Sequence, residues 1–114
     1  MKNEIKFGTG FADAEILEYR RNRDDSEIIV KTWNDRRIHI RCLDTVGIKE
    51  IGIGDICGVF EVEGPSPFLE EVLSQVYEER PTTHPYRQYY FLNLDDQPCL
   101  QIIATGIEVE YAEM

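Results

Sequence analysis

The sequence predicts a small α+β domain, an antiparallel β-sheet of six to eight strands packed against one principal α-helix. Three observations predict it. Runs of β-branched and aromatic residues recur along the chain, punctuated by Asn, Asp, Gly and Pro, which is the pattern of short strands and turns. One stretch alone, between Ser66 and Pro81, carries apolar residues at helical spacing. The composition, 42% hydrophobic and 30% charged over 114 residues, suits a single domain spanning residues 1–114 with a core of its own.

Taken in order, Ala14 to Arg20 reads as a strand centred on Ile16 and Leu17, and Arg21 to Ser26 as a polar loop. Glu27 to Trp33 is a β-branched run. Asn34-Asp35 follows, and Arg36 to Leu43 then sets Ile38, Ile40 and Cys42 against His39 and Arg41. Two such runs joined by two turn-prone residues predict a hairpin. Val46 to Gly64 is glycine-rich and reads as a short strand, a bend at Gly52-Ile53-Gly54, and a second strand from Asp55 to Glu63.

The helix is predicted over Pro67 to Glu79. Ser66 suits the N-cap and Pro67 the first helical position. Phe68, Leu69, Val72, Leu73, Val76 and Tyr77 make one apolar stripe, with Glu70, Glu71, Ser74, Gln75, Glu78 and Glu79 on the other face. Arg80 suits the negative end of the helix dipole, and Pro81 stops the helix. The aromatic run Tyr86 to Leu92 reads as a strand that points Tyr89 and Phe91 into the core and Tyr86 and Tyr90 to the other face. Asn93 to Pro98 is a turn. Cys99 to Ala104 is an apolar strand, and Ile107 to Tyr111 a last one after a bend at Thr105-Gly106.

Charge and cysteines bound the function. The net charge is −10, and its distribution is lopsided. Residues 1–42 hold nine Lys or Arg against eight Asp or Glu, whereas residues 43–114 hold three against fourteen. Such a field repels nucleic acid and anionic membrane and steers toward basic partners, while also serving solubility. Cys42, Cys57 and Cys99 are odd in number and widely spaced, so they read as small buried hydrophobes rather than a disulfide framework. No apolar run reaches the roughly 20 residues of a membrane span, and Met1 to Phe7 lacks the apolar core of a signal peptide. The expected compartment is the cytoplasm.

Catalytic constellations do not emerge. His39 and Cys42 are three apart on one strand, so their side chains point to opposite faces. His84 lies between Thr83 and Pro85 and reads as a turn or rim residue. Gly52, Gly54 and Gly58 precede a strand, not the helix that a phosphate-cradling loop needs. Adjacent acids such as Glu78-Glu79 diverge on a helix, and Asp95-Asp96 suit a turn. Neither zinc spacing nor a calcium loop is present, so no cofactor, no metal and no catalysis are expected. Tyr86, Tyr89, Tyr90 and Arg87, and Trp33 beside Arg36 and Arg37, are the residue types that concentrate binding energy when exposed.

Phe11-Ala12-Asp13-Ala14-Glu15-Ile16-Leu17, followed by a hairpin of β-branched residues, resembles the opening of small bacterial immunity proteins of polymorphic-toxin and contact-dependent inhibition systems. The likeness covers about 40 residues, and Ala12 stands where such proteins often carry His. It implies a cytoplasmic protein that binds and blocks a co-encoded toxin domain, with no catalytic residues to carry over. A stoichiometric inhibitor of a basic nuclease also needs a one-sided acidic surface. Partner-binding residues are therefore expected at Glu70, Glu71, Glu78, Glu79, Asp95 and Asp96, with Tyr86 and Tyr90 as anchors. The rivals are a structural or regulatory interaction domain, and a small-molecule binder that uses the aromatic cluster with a pocket under the helix.

Overall fold

Alternating strands bury only one face each, and this chain solves the problem twice over by stacking two sheets. In the computed structural model, which describes residues 2–79 and 81–112, ten strands form two five-stranded antiparallel sheets beside one helix. Sheet 1 has the order β1-β7-β8-β9-β5, from Lys2–Glu4 (β1), Gly58–Val62 (β7), Arg87–Leu92 (β8), Pro98–Ala104 (β9) and Gly47–Glu50 (β5). Sheet 2 has the order β10-β4-β3-β2-β6, from Gly106–Tyr111 (β10), Arg37–Leu43 (β4), Asp25–Lys31 (β3), Ala14–Asn22 (β2) and Asp55–Ile56 (β6). The helix, α1, spans Pro67–Val76.

The expected single sheet of six to eight strands is thus corrected to a two-sheet, mostly β architecture with one helix. The extra strands have clear sources. Lys2–Glu4 pairs with β7 as a short edge, and the expected Asp55–Glu63 strand breaks at Cys57 into β6, which joins sheet 2, and β7, which joins sheet 1. The glycine-rich stretch is therefore a crossover between sheets. Gly52 takes φ +71 there, a value open to glycine at little cost.

Between the sheets lies the main core: Phe11, Ile16, Ile28, Val30, Ile38 and Ile40 with Val59, Tyr89, Phe91, Leu100 and Ile102, each at most 3% exposed. Burying a side chain of this size contributes about 1.5–3 kcal/mol. The expected inward Tyr89 and Phe91 lie here. Cys42 and Cys99 are buried free thiols, while Cys57 is only half-buried. Burial pushes the Cys42 thiol up to about 12, with the Ser26 hydroxyl opposing the shift.

The predicted hairpin joins β3 to β4, with Lys31 opposite Arg37. Its turn closes through Thr32, whose N–H donates to the Arg36 carbonyl at 2.8 Å, and Asp35 takes φ +68. The expected Arg21–Ser26 loop is instead a second hairpin. β2 runs to Asn22 and β3 begins at Asp25, leaving a two-residue turn with Arg23 at φ +61. Polar residues extend both strands because their side chains reach solvent and pair across it.

α1 lies on the outer face of sheet 1. The cross-strand row Val62–Gln88–Ile103–Gly47 runs beneath it, and Leu69, Val72 and Leu73 close a second apolar cluster on Ile103. A Cβ on Gly47 would stand 2.6 Å from the Val72 side chain, so glycine here lets helix and sheet approach. The Ser66 N-cap is as predicted: its hydroxyl accepts from the Leu69 N–H at 3.1 Å and donates to the Gln88 side-chain oxygen Oε1 at 2.6 Å. That hydroxyl links helix start to sheet.

The helix ends three residues earlier than expected. Tyr77 takes an extended conformation and sets its ring edge-on to Tyr86, centroids 6.4 Å apart. Glu78 and Glu79 therefore follow the helix, and Val76, placed in the stripe by its spacing, is 40% exposed. Arg80 lies outside the described residues.

Candidate functional site

Covering only part of sheet 1, α1 leaves a groove beside it. Its walls are the β7 end with the following turn (Glu61, Glu63, Gly64), the helix (Leu69, Glu70, Leu73) and the 81–88 segment (His84, Tyr86, Arg87, Gln88). The volume is about 540 Å³ and the groove opens to solvent. A smaller recess of about 230 Å³ adjoins it, lined by Glu70, Leu73, Ser74, Tyr77 and Glu78. Glu70 and Leu73 stand on the ridge between the two.

Gln88 forms the floor. It is buried, and its amide donates to the Gly64 carbonyl at 2.7 Å and the Val62 carbonyl at 3.3 Å. Its oxygen accepts from Ser66 and, at 3.3 Å, from the Tyr90 hydroxyl. Among the described residues no buried side-chain polar atom is without a partner, and the Gln88 side chain is hydrogen-bonded within the protein at both its oxygen and its nitrogen.

On the wall, Arg87 donates to Glu61 at 2.8 Å, and that contact holds its guanidinium above the ordinary value. Burial, with Glu61 nearby, pushes the Tyr89 phenol up to about 12. His84 stacks on Tyr86 with centroids 6.2 Å apart, and its Nδ1 accepts from the Tyr86 N–H at 3.2 Å. His84 thus sits on the rim and orders the loop.

The expected site residues divide by position. Glu70, Glu78 and Tyr86 gather around the groove and its recess. Glu71 and Glu79 are exposed on and just beyond the helix. Tyr90 is half-buried on the same outer face, held through Gln88. Asp95 and Asp96 are elsewhere. Their turn follows β8 at the end of sheet 1 opposite the helix, about 20 Å away by strand rise. Asn93 Oδ1 there accepts from the Asp95 and Gln97 N–H groups, Asp96 takes φ +63, and Lys2 lies 3.6 Å from the Asp96 carboxylate.

Glu63 joins the acidic wall without having been singled out, while Glu61, directly opposite Tyr89 on the ladder, borders the groove with its carboxylate turned to the inner face of sheet 1 and held by Arg87. Glu63 lies in the turn before the helix, and Glu61 meets Arg87 only through the β7–β8 register, 26 residues apart in sequence. From 61 to 79 the chain holds six Glu and no Lys or Arg. Among the described residues Glu63, Glu71, Glu78, Glu79 and Asp95 have no ion-pair partner.

The outer face of sheet 2 is charged in another way. One row across the sheet reads Arg20, Glu27, Arg41, Glu108, each directly opposite the next. Arg20 lies 3.7 Å from Glu27, and Arg41 donates to Glu108 at 2.5 Å. Glu27 also meets the Asn22 amide and His39 Nε2, both at 2.8 Å, while His39 Nδ1 lies 3.5 Å from Glu110. The Asn22 amide is the main cause holding the Glu27 carboxyl below its ordinary value, with His39 and Arg20 adding and burial opposing.

Among the described residues no three His, Cys, Asp or Glu side chains converge as metal ligands, and no helix is long and apolar enough to cross a membrane. Comparison of the chain with protein-family models, curated proteins and solved structures gives no significant match.

Proposed function

We propose that this protein is a non-catalytic binding module of the immunity type, which captures and neutralises a basic toxin domain in the cytoplasm. The acidic face of α1 and the groove beside it form the contact surface. The observation that carries this reading is the imbalance just described: residues 61–79 hold six Glu and no Lys or Arg, and among the described residues four of them, Glu63, Glu71, Glu78 and Glu79, have no ion-pair partner, beside an open groove. Position argues the same way. Glu78 and Glu79 follow the negative end of the helix dipole, and the last helical turn has no basic residue to offset them. Carboxylates there oppose helix stability slightly, so folding alone gives no reason for them.

Tyr86 is the natural anchor, a half-buried ring on the groove wall, with Glu70 and Glu78 steering a cationic surface onto it. Tyr90 extends the surface across sheet 1. Asp95 and Asp96, at the far end of that sheet, would belong to it only for a partner wide enough to cover both ends.

The test is genetic and direct. A toxin domain encoded beside this protein is expressed with and without it. Protection by the wild type, lost in a folded Glu70→Lys/Glu71→Lys/Glu78→Lys/Glu79→Lys variant, supports the reading. Undiminished protection by that variant overturns the assignment of this face.

A further inference from the structure

Both sheets have edges, and one edge differs from the rest. β1 and β6 have three and two residues, and β5 has four under the helix flank. β10 has six, and it ends sheet 2 with β4 on one side only. Its pairing fixes which backbone groups are used. The Ala112 N–H donates to the Arg37 carbonyl at 3.0 Å, in the same register that sets Glu110 against His39 and Glu108 against Arg41. Residues 108 and 110 therefore turn their N–H and C=O groups to β4, and Ile107, Val109 and Tyr111 turn theirs outward. Among the described residues those outward groups have no partner. The strand is also held in place: Tyr111 packs on the Phe7 ring at 4.9 Å and under the Arg36 guanidinium at 4.2 Å.

Charge says what would pair there. Across sheet 2 the row Arg20, Glu27, Arg41, Glu108 alternates in sign and stops on an acid at the open edge. Glu110 stands one row along on the same face. A recess of about 330 Å³, lined by His39, Arg41, Glu108, Val109 and Glu110, lies at this edge. A second copy of the chain fits poorly: antiparallel pairing centred on Val109 would set Glu108 of each copy opposite Glu110 of the other, and like charges directly opposed are destabilising. A strand with Lys or Arg at alternate positions would continue the alternation.

We propose that the β10 edge docks an extended segment of a partner protein, with basic residues at alternate positions, by adding a sixth strand to sheet 2. Main-chain hydrogen bonds to Ile107, Val109 and Tyr111 supply the pairing, and Glu108 and Glu110 select the basic side chains. This inference goes beyond the proposed function and does not depend on it, since the helix face lies on the other sheet.

The probe is a nine-residue peptide alternating valine and lysine, read by amide hydrogen exchange on the whole protein. Binding should slow exchange of the Ile107, Val109 and Tyr111 amides by about tenfold or more at saturation, as new ladder bonds do. A valine–glutamate peptide should not. Nor should the valine–lysine peptide N-methylated at alternate residues, which keeps the charge and loses the pairing edge. Val109→Pro, which deletes an outward N–H and leaves the β4 ladder intact, should abolish the effect. If that variant does not fold, the methylated peptide on the wild type decides. Equal protection by the methylated peptide would reduce the effect to bulk attraction and overturn the proposal. So would no protection at these amides, or concentration-dependent protection without peptide, which would assign the edge to a second copy. The helix-face quadruple variant should keep the peptide's effect, so failure here and failure of the proposed function are separable.

Discussion

The two outer faces of the sandwich carry charge for different reasons. On sheet 2 the charged side chains stand on strands, and three of them find an opposite charge across the ladder: Arg20 with Glu27, Lys31 with Glu15, Arg41 with Glu108. On sheet 1 the outward row Val62–Gln88–Ile103 is mostly apolar and needs a helix to cover it, and the acids ride on that cover. Removing an acid from the first face should cost stability. Removing Glu71, Glu78 or Glu79 from the second should cost none, because among the described residues none of the three has an ion-pair partner. Charge that the fold does not use is the stronger candidate for charge that a partner uses.

The comparison can be broken at several points. The largest effect is expected under the helix, where Leu73 is 4% exposed between α1 and Ile103. Leu73→Ala should lower unfolding stability by about 2–5 kcal/mol. A midpoint in denaturant within error of wild type would mean that the helix is not needed to cover the sheet. Next comes Glu27, whose carboxylate meets Asn22, His39 and Arg20 with its side chain only 12% exposed. Glu27→Ala should cost about 1.5–3 kcal/mol, the range for hydrogen bonds involving a charged group.

Acidity gives that prediction a second arm. The folded-state carboxyl of Glu27 is depressed below 4.5, so its contribution is complete above the unfolded value and is lost as pH falls through the folded one. The gap in stability between wild type and Glu27→Gln should therefore be widest near neutrality and shrink below about pH 4. A gap that widens on acidification would contradict the network. A smaller loss, about 1 kcal/mol, is expected for Ser66→Ala, which removes the helix cap and one partner of buried Gln88. Smallest of all, Glu78→Lys with Glu79→Lys should shift stability by no more than about 0.5 kcal/mol, in the favourable direction if any.

What the sequence made legible was local. Ser66 and Pro67 announced the start of α1 because capping is a three-residue affair. Asn34-Asp35 announced a hairpin, and alternation put Tyr89 and Phe91 inside. The division into two sheets was not legible, because it rests on pairings such as β1 with β7 and β10 with β4, which join residues roughly 60 apart and leave no mark at short range. The run Cys99–Ala104 hinted at it. Gln101 and Ile103 are buried on one face, and Leu100, Ile102 and Ala104 on the other, as a strand between a second sheet and a helix requires. The site divided the same way. Glu70 and Glu71 could be placed on an exposed helical face by spacing, whereas the distance of Asp95-Asp96 from them, and the arrival of Glu61 and Arg87 at the groove, needed the register of sheet 1.

The central claim, which belongs to the proposed function, is that Glu71, Glu78 and Glu79 act on a partner and not on the fold. It is tested most directly by the association rate with a basic toxin domain of the kind the proposed function calls for, measured against salt for two folded variants. One reverses Glu70, Glu71, Glu78 and Glu79 to Lys; the other reverses Arg20, Lys31 and Arg41 to Glu, on the opposite face. The account predicts that the first variant associates at least about tenfold more slowly, with most of the salt dependence gone. The second should lose stability but keep its association rate. An unchanged rate and salt slope in the helix-face variant would contradict the claim.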